Sequence, residues 1–122
     1  MNFVLWVAQV LLALAFLGAG FDQAANYPDA GRRMAWVRAM PGWLARIIGA
    51  VEMLGAVLLI VPGLIGVAVW LTPATALALA ALMLFAVNYH ETRGELPQIV
   101  FSGVFLVVAA FVAVGRFFIA PL

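Results

Sequence analysis

Four long apolar stretches, at about 3–21, 42–61, 73–90 and 97–118, alternate along the chain with short polar ones. Each is bounded by charges or prolines. At about 1.5 Å per residue they would reach roughly 26–33 Å as helices, the thickness of a hydrocarbon core of about 30 Å. Pro41, Pro73 and Pro97 each stand where a helix would begin, the position at which a missing N–H costs little. Thr72 fits an N-cap for the third helix, and Pro62-Gly63 is expected to end the second. Gly18, Gly20, Gly49, Gly55, Gly66 and Gly103 fall within or beside these runs. Small residues of that kind let helices approach closely in lipid. The pattern predicts an all-α protein, a four-transmembrane-helix bundle of up-down-up-down topology, forming a single domain over 1–122.

Composition sharpens this reading. Of 122 residues, 68% are hydrophobic and 9% charged. Soluble domains carry about 25% charged residues, so this chain has too little polar surface to cover itself in water. The lipid bilayer is the partner such a composition requires. A net charge of +1 without any lysine argues against nucleic acid. No cysteine is present, which removes disulfides, thiolate metal sites, iron–sulfur clusters and cysteine nucleophiles. The first run is expected to stay in the protein rather than be cleaved as a signal peptide. No Lys or Arg precedes it, and it is longer than a usual signal core of about 7–15 residues.

The arginines orient the bundle. Arg32, Arg33, Arg38 and Arg46 lie between or just inside the first and second helices, and Arg93 lies between the third and fourth. Only Arg116 belongs to the other side. The excess of positive charge puts loops 22–41 and 91–96 in the cytoplasm and both termini outside. Trp6, Trp36, Trp43 and Trp70 fall near run ends, where an aromatic belt belongs. Within the first loop, Pro28-Asp29 could start a short helix through Gly31–Met40 lying at the membrane interface; a solvated loop fits the residues equally well.

Glu52 is the most informative residue. It sits about ten residues into the second run, hence ~15 Å deep. A carboxyl group there costs at least about 2.5–3.5 kcal/mol unless it is shielded. Ala45, Gly49, Glu52, Gly55 and Ala56 share one helical face, so a tight interface with a polar pocket is expected. Gln9 on the first helix, ~18 Å from the same edge, is the expected partner of Glu52. Asn88, Tyr89, His90, Glu91 and Glu95 cluster at the end of the third helix. His90 could relay protons, although anchoring a helix end in the headgroups is the commoner role. Its depth differs from that of Glu52 by about 12–15 Å. The candidate ligand-binding or proton-linked residues are therefore Glu52, Gln9, Gly49, Gly55, Asn88 and His90. No catalytic set stands out. No metal is expected, because neither H-x-x-x-H nor E-x-x-H spacing occurs. One histidine cannot supply bis-histidine haem ligation, and phosphate- or dinucleotide-binding glycine loops are missing.

The order of these features resembles the DoxX family of small bacterial membrane proteins. The resemblance is carried by Phe16-Leu17-Gly18-Ala19-Gly20-Phe21, Met34-Ala35-Trp36-Val37-Arg38 with Pro41, and Ile48-Gly49-Ala50-Val51-Glu52-Met53-Leu54-Gly55 followed by Pro62. His90-Glu91-Thr92-Arg93-Gly94-Glu95 completes it. After the first helix, where the family often has a lysine, this chain reads Asp22-Gln23. The resemblance implies a four-span bundle in a bacterial inner membrane and recurrence of the helix-two glutamate. Some relatives are named for a terminal quinol oxidase or a thiosulfate–quinone system, others are linked to oxidative-stress complexes, and most have no assigned reaction.

Three functions are compatible with these residues. The leading one is a non-catalytic membrane component binding a partner protein or a small apolar ligand around Glu52. The second is a membrane subunit of a quinone-linked oxidoreductase or oxidative-stress complex, with protonated Glu52 donating to a quinone and a redox protein as partner. The third is a small proton-coupled transporter. No cofactor is expected beyond a quinone, and a homo-oligomer is compatible with all three.

Overall fold

The computed structural model describes residues 1–25 and 40–122. Four helices account for nearly all of them: α1 (Asn2–Ala25), α2 (Gly42–Ile65), α3 (Leu71–Thr92) and α4 (Leu96–Val114). A π-helical turn, Gly115–Ile119, prolongs α4. The most apolar 18 residues of each span have mean hydropathy between 1.8 and 2.3, yet only 28–33% of those residues are buried. The outward faces carry Leu11, Leu14, Leu54, Leu84, Val107 and their like. A surface of that kind is stable only against lipid. This is a multi-pass membrane protein.

The helix limits follow from local chemistry. Pro41 caps α2, its carbonyl accepting from the N–H groups of Leu44 and Ala45 at 3.0 and 3.1 Å. Pro97 sits in the first turn of α4, behind Glu95 at the cap. The stop expected at Pro62-Gly63 does not occur. α2 continues through Pro62 and ends at Gly66, whose backbone is left-handed at φ 68°, a conformation glycine adopts without steric cost. Proline removes the N–H that would bond the carbonyl four residues earlier, here that of Leu58. Thr72 supplies the replacement, its hydroxyl donating to the Leu58 carbonyl at 2.9 Å. On the same turn, the Gln9 amide donates to the Leu59 carbonyl at 2.7 Å. Thr72 is therefore not the N-cap of α3 that its place before Pro73 suggests. α3 starts at Leu71, and the Thr72 side chain ties α3 to α2.

Sequence neighbours pack side by side, and α1 closes the ring against α4. The result is the up-down-up-down bundle. The α1–α2 seam is the closest: a Cβ built on Gly20 would lie 2.5 Å from the Gly49 carbonyl oxygen, and one on Gly49 would lie 2.6 Å from that of Gly20. Here the two backbones touch. Gly55 takes the Leu79 side chain of α3. All five residues of the small-residue face on α2, including Glu52, are buried. Leu12, Phe16, Leu59, Leu79, Met83 and Val112 lead the apolar core. All but the last residue of the expected interfacial helix Gly31–Met40, with Trp36 and Arg32, Arg33 and Arg38, lies outside the described residues.

Candidate functional site

Towards the end of the bundle where α1 finishes, α2 starts, and α3 turns into α4, the helices border an open-sided cavity of about 740 Å³. All four contribute to its wall. Phe16, Leu44, Leu82, Met83 and Phe105 form much of the apolar part; Gln23, Glu52, Tyr89, His90, Gln98 and Ser102 bring polar groups. The helical period explains the selection. Phe16, Ala19 and Gln23 recur at three- and four-residue intervals on α1, as do Leu44, Ile48 and Glu52 on α2.

Glu52 is 5% exposed, and its carboxylate accepts a long hydrogen bond, 3.4 Å, from the Gln23 amide nitrogen. Gln23 is 1% exposed, and its own carbonyl oxygen is buried with no partner among the described residues. The expected partner, Gln9, is elsewhere. It reaches the Leu59 carbonyl, seven residues beyond Glu52 and hence ~10 Å further along α2. The depth argument failed because α1 does not stop at Phe21. It runs on to Ala25, which puts Gln9 about 24 Å from its end and brings Gln23 beside Glu52.

The other candidates divide cleanly. His90 lines the same cavity as Glu52 and is 5% exposed, not an anchor among headgroups. Its Nδ1 lies 2.9 Å from the Glu95 carboxylate across the α3–α4 turn. When Nδ1 carries the proton it donates to that carboxylate, which fixes the ring. Tyr89 stands edge-on to His90 and beneath the Arg93 guanidinium, 4.2 Å from its ring centre. Asn88 is exposed and is not on the cavity wall. Gly49 and Gly55 are packing positions of the α1–α2 and α2–α3 seams. Among the described residues, no three His, Asp or Glu side chains stand close enough to share a metal ion.

A second polar cluster occupies the opposite end. Arg116, read from the sequence as a charge on the outer side, is 2% exposed. Its Nε donates to Gln9 Oε1 at 2.6 Å, and its Nη1 donates to Asn2 Oδ1 at 2.6 Å and to the Ala120 carbonyl at 2.8 Å. The Trp6 ring lies 5.4 Å from the guanidinium carbon. Only Gln9, a polar residue inside an apolar run, signalled in the sequence that this end needed a partner. The two clusters thus leave one end of the bundle tied shut and the other hollow.

No curated protein and no solved structure matches the chain. A family model does, the DoxX-like family, over residues 7–112. That span takes in the cavity-lining parts of all four helices, Glu52 and Gln23 included, and the chain belongs to the DoxX-like family.

Proposed function

We propose that this protein is a non-catalytic membrane component that holds a small, largely apolar molecule with a polar head in the cavity around Glu52. The observation that carries this reading is the cavity itself. Its volume of about 740 Å³ falls within the roughly 300–1,000 Å³ usual for small-molecule sites. Its composition matches as well, an apolar wall with a few convergent polar groups. The phenyl rings and aliphatic side chains suit the body of such a molecule, and Glu52, Gln23 and Ser102 suit its head.

The experiment is native mass spectrometry of the protein released from membranes, comparing wild type with Ala86→Trp and Glu52→Gln. Ala86 lies half-buried on the cavity wall, so an indole there fills space without replacing a core residue. A stoichiometric small molecule is expected on wild type and not on Ala86→Trp. Glu52→Gln, which keeps the shape but replaces the carboxyl group by an amide, should weaken its retention about tenfold. Identical bound species on wild type and a folded Ala86→Trp would sink the proposal.

In the same reading the hollow end faces the cytoplasm of a bacterial inner membrane, with the termini outside. The support is the arginine asymmetry: Arg46 and Arg93 stand at the hollow end, Arg32, Arg33 and Arg38 fall in the sequence between α1 and α2, and Arg116 belongs to the other end. The chain has no native cysteine, so single reporters can check it. Val67→Cys should react with an impermeant maleimide in cells with a permeable outer membrane, and Glu91→Cys only after the inner membrane is opened. The opposite labelling pattern would reverse the orientation.

A further inference from the structure

The bundle is built from two hairpins. α1 packs closely along α2 and α3 along α4, whereas contact between the two pairs is slighter, and slightest between α1 and α4. The ties that join α1 to α4 and its π-helical extension belong to the closed part of the molecule. Arg116 reaches Gln9 and Asn2, Leu5 presses on Gly115, and the Phe16 and Phe105 rings meet with centroids 5.7 Å apart. One helical turn nearer the hollow end, the corresponding residues are Ala19 on α1 and Phe101 on α4. Both line the cavity, yet Ala19 is exposed and Phe101 is 66% exposed. Residues that face a cavity and the outside at once stand on its rim. The gap between α1 and α4 is therefore an open side of the cavity.

Depth and charge decide what can pass there. Ala19 is six residues from the end of α1 and Phe101 five from the start of α4, ~8–9 Å along each helix. Both spans have 24 residues and so reach about 36 Å, against a hydrocarbon core of about 30 Å. This rim lies within the hydrocarbon. Among the described residues, the titratable groups on the cavity wall are Glu52, Tyr89, His90 and Arg93, and all of them belong to α2 and α3. The wall contributed by α1 and α4 carries no charge. Charge in hydrocarbon is costly, and an apolar chain sliding in beside Ala19 and Phe101 meets none.

We infer that the gap between α1 and α4 is a side entrance from the bilayer, and that the cavity takes a long-chain amphiphile of the membrane with its head towards α2 and α3 and its tail in the gap. This rests on the cavity being a ligand site. It adds the class and source of the ligand: a molecule already dissolved in the bilayer, not a solute of the aqueous phase. Entry involves no covalent step.

Fluorescence quenching of the full-length chain in nanodiscs tests the entrance, since the chain has no native cysteine and accepts single bimane reporters. Ser102→Cys places the dye on the cavity wall, Val104→Cys on the lipid-facing surface and Glu91→Cys at an exposed helix end. Phospholipid with dibrominated acyl chains quenches from the bilayer, and iodide quenches from water. Bromolipid should dim the Ser102 reporter as much as the Val104 reporter, and iodide should dim only the one at Glu91. Adding Ala19→Phe, which fills the entrance from an exposed position, should abolish most of the bromolipid quenching at Ser102 and none at Val104. Quenching at Ser102 by iodide and not by bromolipid would overturn the inference and make the cavity a site for aqueous solutes. So would bromolipid quenching that survives Ala19→Phe, or no quenching of either kind. Each of these results leaves standing a ligand that native mass spectrometry finds on wild type and not on Ala86→Trp, so the entrance can fail without the site. Identical bound species on those two proteins would overturn the ligand-site reading and the lodged amphiphile with it, even where bromolipid reaches Ser102.

Discussion

Gly49→Leu is expected to separate α1 from α2 and to lower the melting temperature of the purified protein more than any other single glycine replacement except Gly20→Leu. At this crossing a β-carbon has no room. On Gly49 it would meet the Gly20 carbonyl at 2.6 Å and the Ala24 nitrogen at 2.8 Å; on Gly20 it would meet the Gly49 carbonyl at 2.5 Å. The opposing atoms are backbone, which cannot rotate away as a flexible side chain can. Overpacking in a well-filled interior costs about 1–3 kcal/mol and occasionally more, and a rigid obstacle puts these two positions at or above the upper end. Leucine also favours helix and lipid, so insertion should not suffer and any loss belongs to packing. Gly18 and Gly103 provide the comparison: a β-carbon at either position meets nothing within 4 Å. Gly18→Leu and Gly103→Leu should therefore melt close to wild type. Thermal unfolding followed by circular dichroism in one detergent checks all four. If Gly49→Leu melts as high as Gly18→Leu, the backbone contact is not a feature of the folded protein.

The crossing has a functional side. It lies one turn from Glu52 on α2 and one turn from Gln23 on α1, so the approach of the two glycines sets the distance between amide and carboxylate. Glutamine reaches Glu52 only because the backbones are that close. A variant that spreads the seam would be expected to break the 3.4 Å contact before it disturbs the far end of the bundle.

The spanning helices were legible because their signal is long and redundant: about twenty apolar residues in each of four runs, with prolines at the starts of the last three. So was the buried face of α2, which rests on a period of 3.6 alone. Where the reading went astray, a polar or breaking residue was taken as a boundary when the fold had given it a partner. Asp22 and Gln23 look like loop, yet α1 carries on through them because Gln23 finds Glu52. Pro62 looks like a stop, yet α2 passes it because Thr72 and Gln9 serve the carbonyls of its preceding turn. Those partners come from other helices, and sequence spacing within one helix cannot reveal them. The depth of Gln9 was then miscounted from the wrong end. A polar pocket at Glu52 was expected from the small-residue face of α2, but the size of the cavity was not: it depends on how four helices diverge, whereas its lining residues differ little in type from those that fill the core.

Gln9→Leu is expected to be the most damaging substitution of a single polar side chain, and its effect should reverse when Arg116 is replaced as well. In the native bundle Gln9 serves two masters at once, giving its amide N–H to the Leu59 carbonyl and taking the Nε–H of Arg116. Among the described residues Arg116 meets only neutral acceptors, and one of its terminal nitrogens, Nη2, is already without a partner. Removing Gln9 leaves a buried guanidinium with less than it needs. A hydrogen bond to a charged group contributes about 1.5–3 kcal/mol, and an unsatisfied buried group costs as much again when the charge cannot reach water. A loss of about 3 kcal/mol is the expected scale, readable as a lower midpoint in unfolding by mixed detergent. Replacing a buried polar pair by apolar residues of similar volume is frequently neutral or stabilising. Gln9→Leu with Arg116→Leu should accordingly recover most of the stability lost by Gln9→Leu alone, since the orphaned charge is gone and the Leu59 carbonyl retains its own helix. Losses that simply add would mean that Arg116 stabilises the bundle independently of Gln9, through Asn2, Ala120 and the Trp6 ring, and the closed end would then owe its cohesion to the arginine rather than to the glutamine that bridges it to α2.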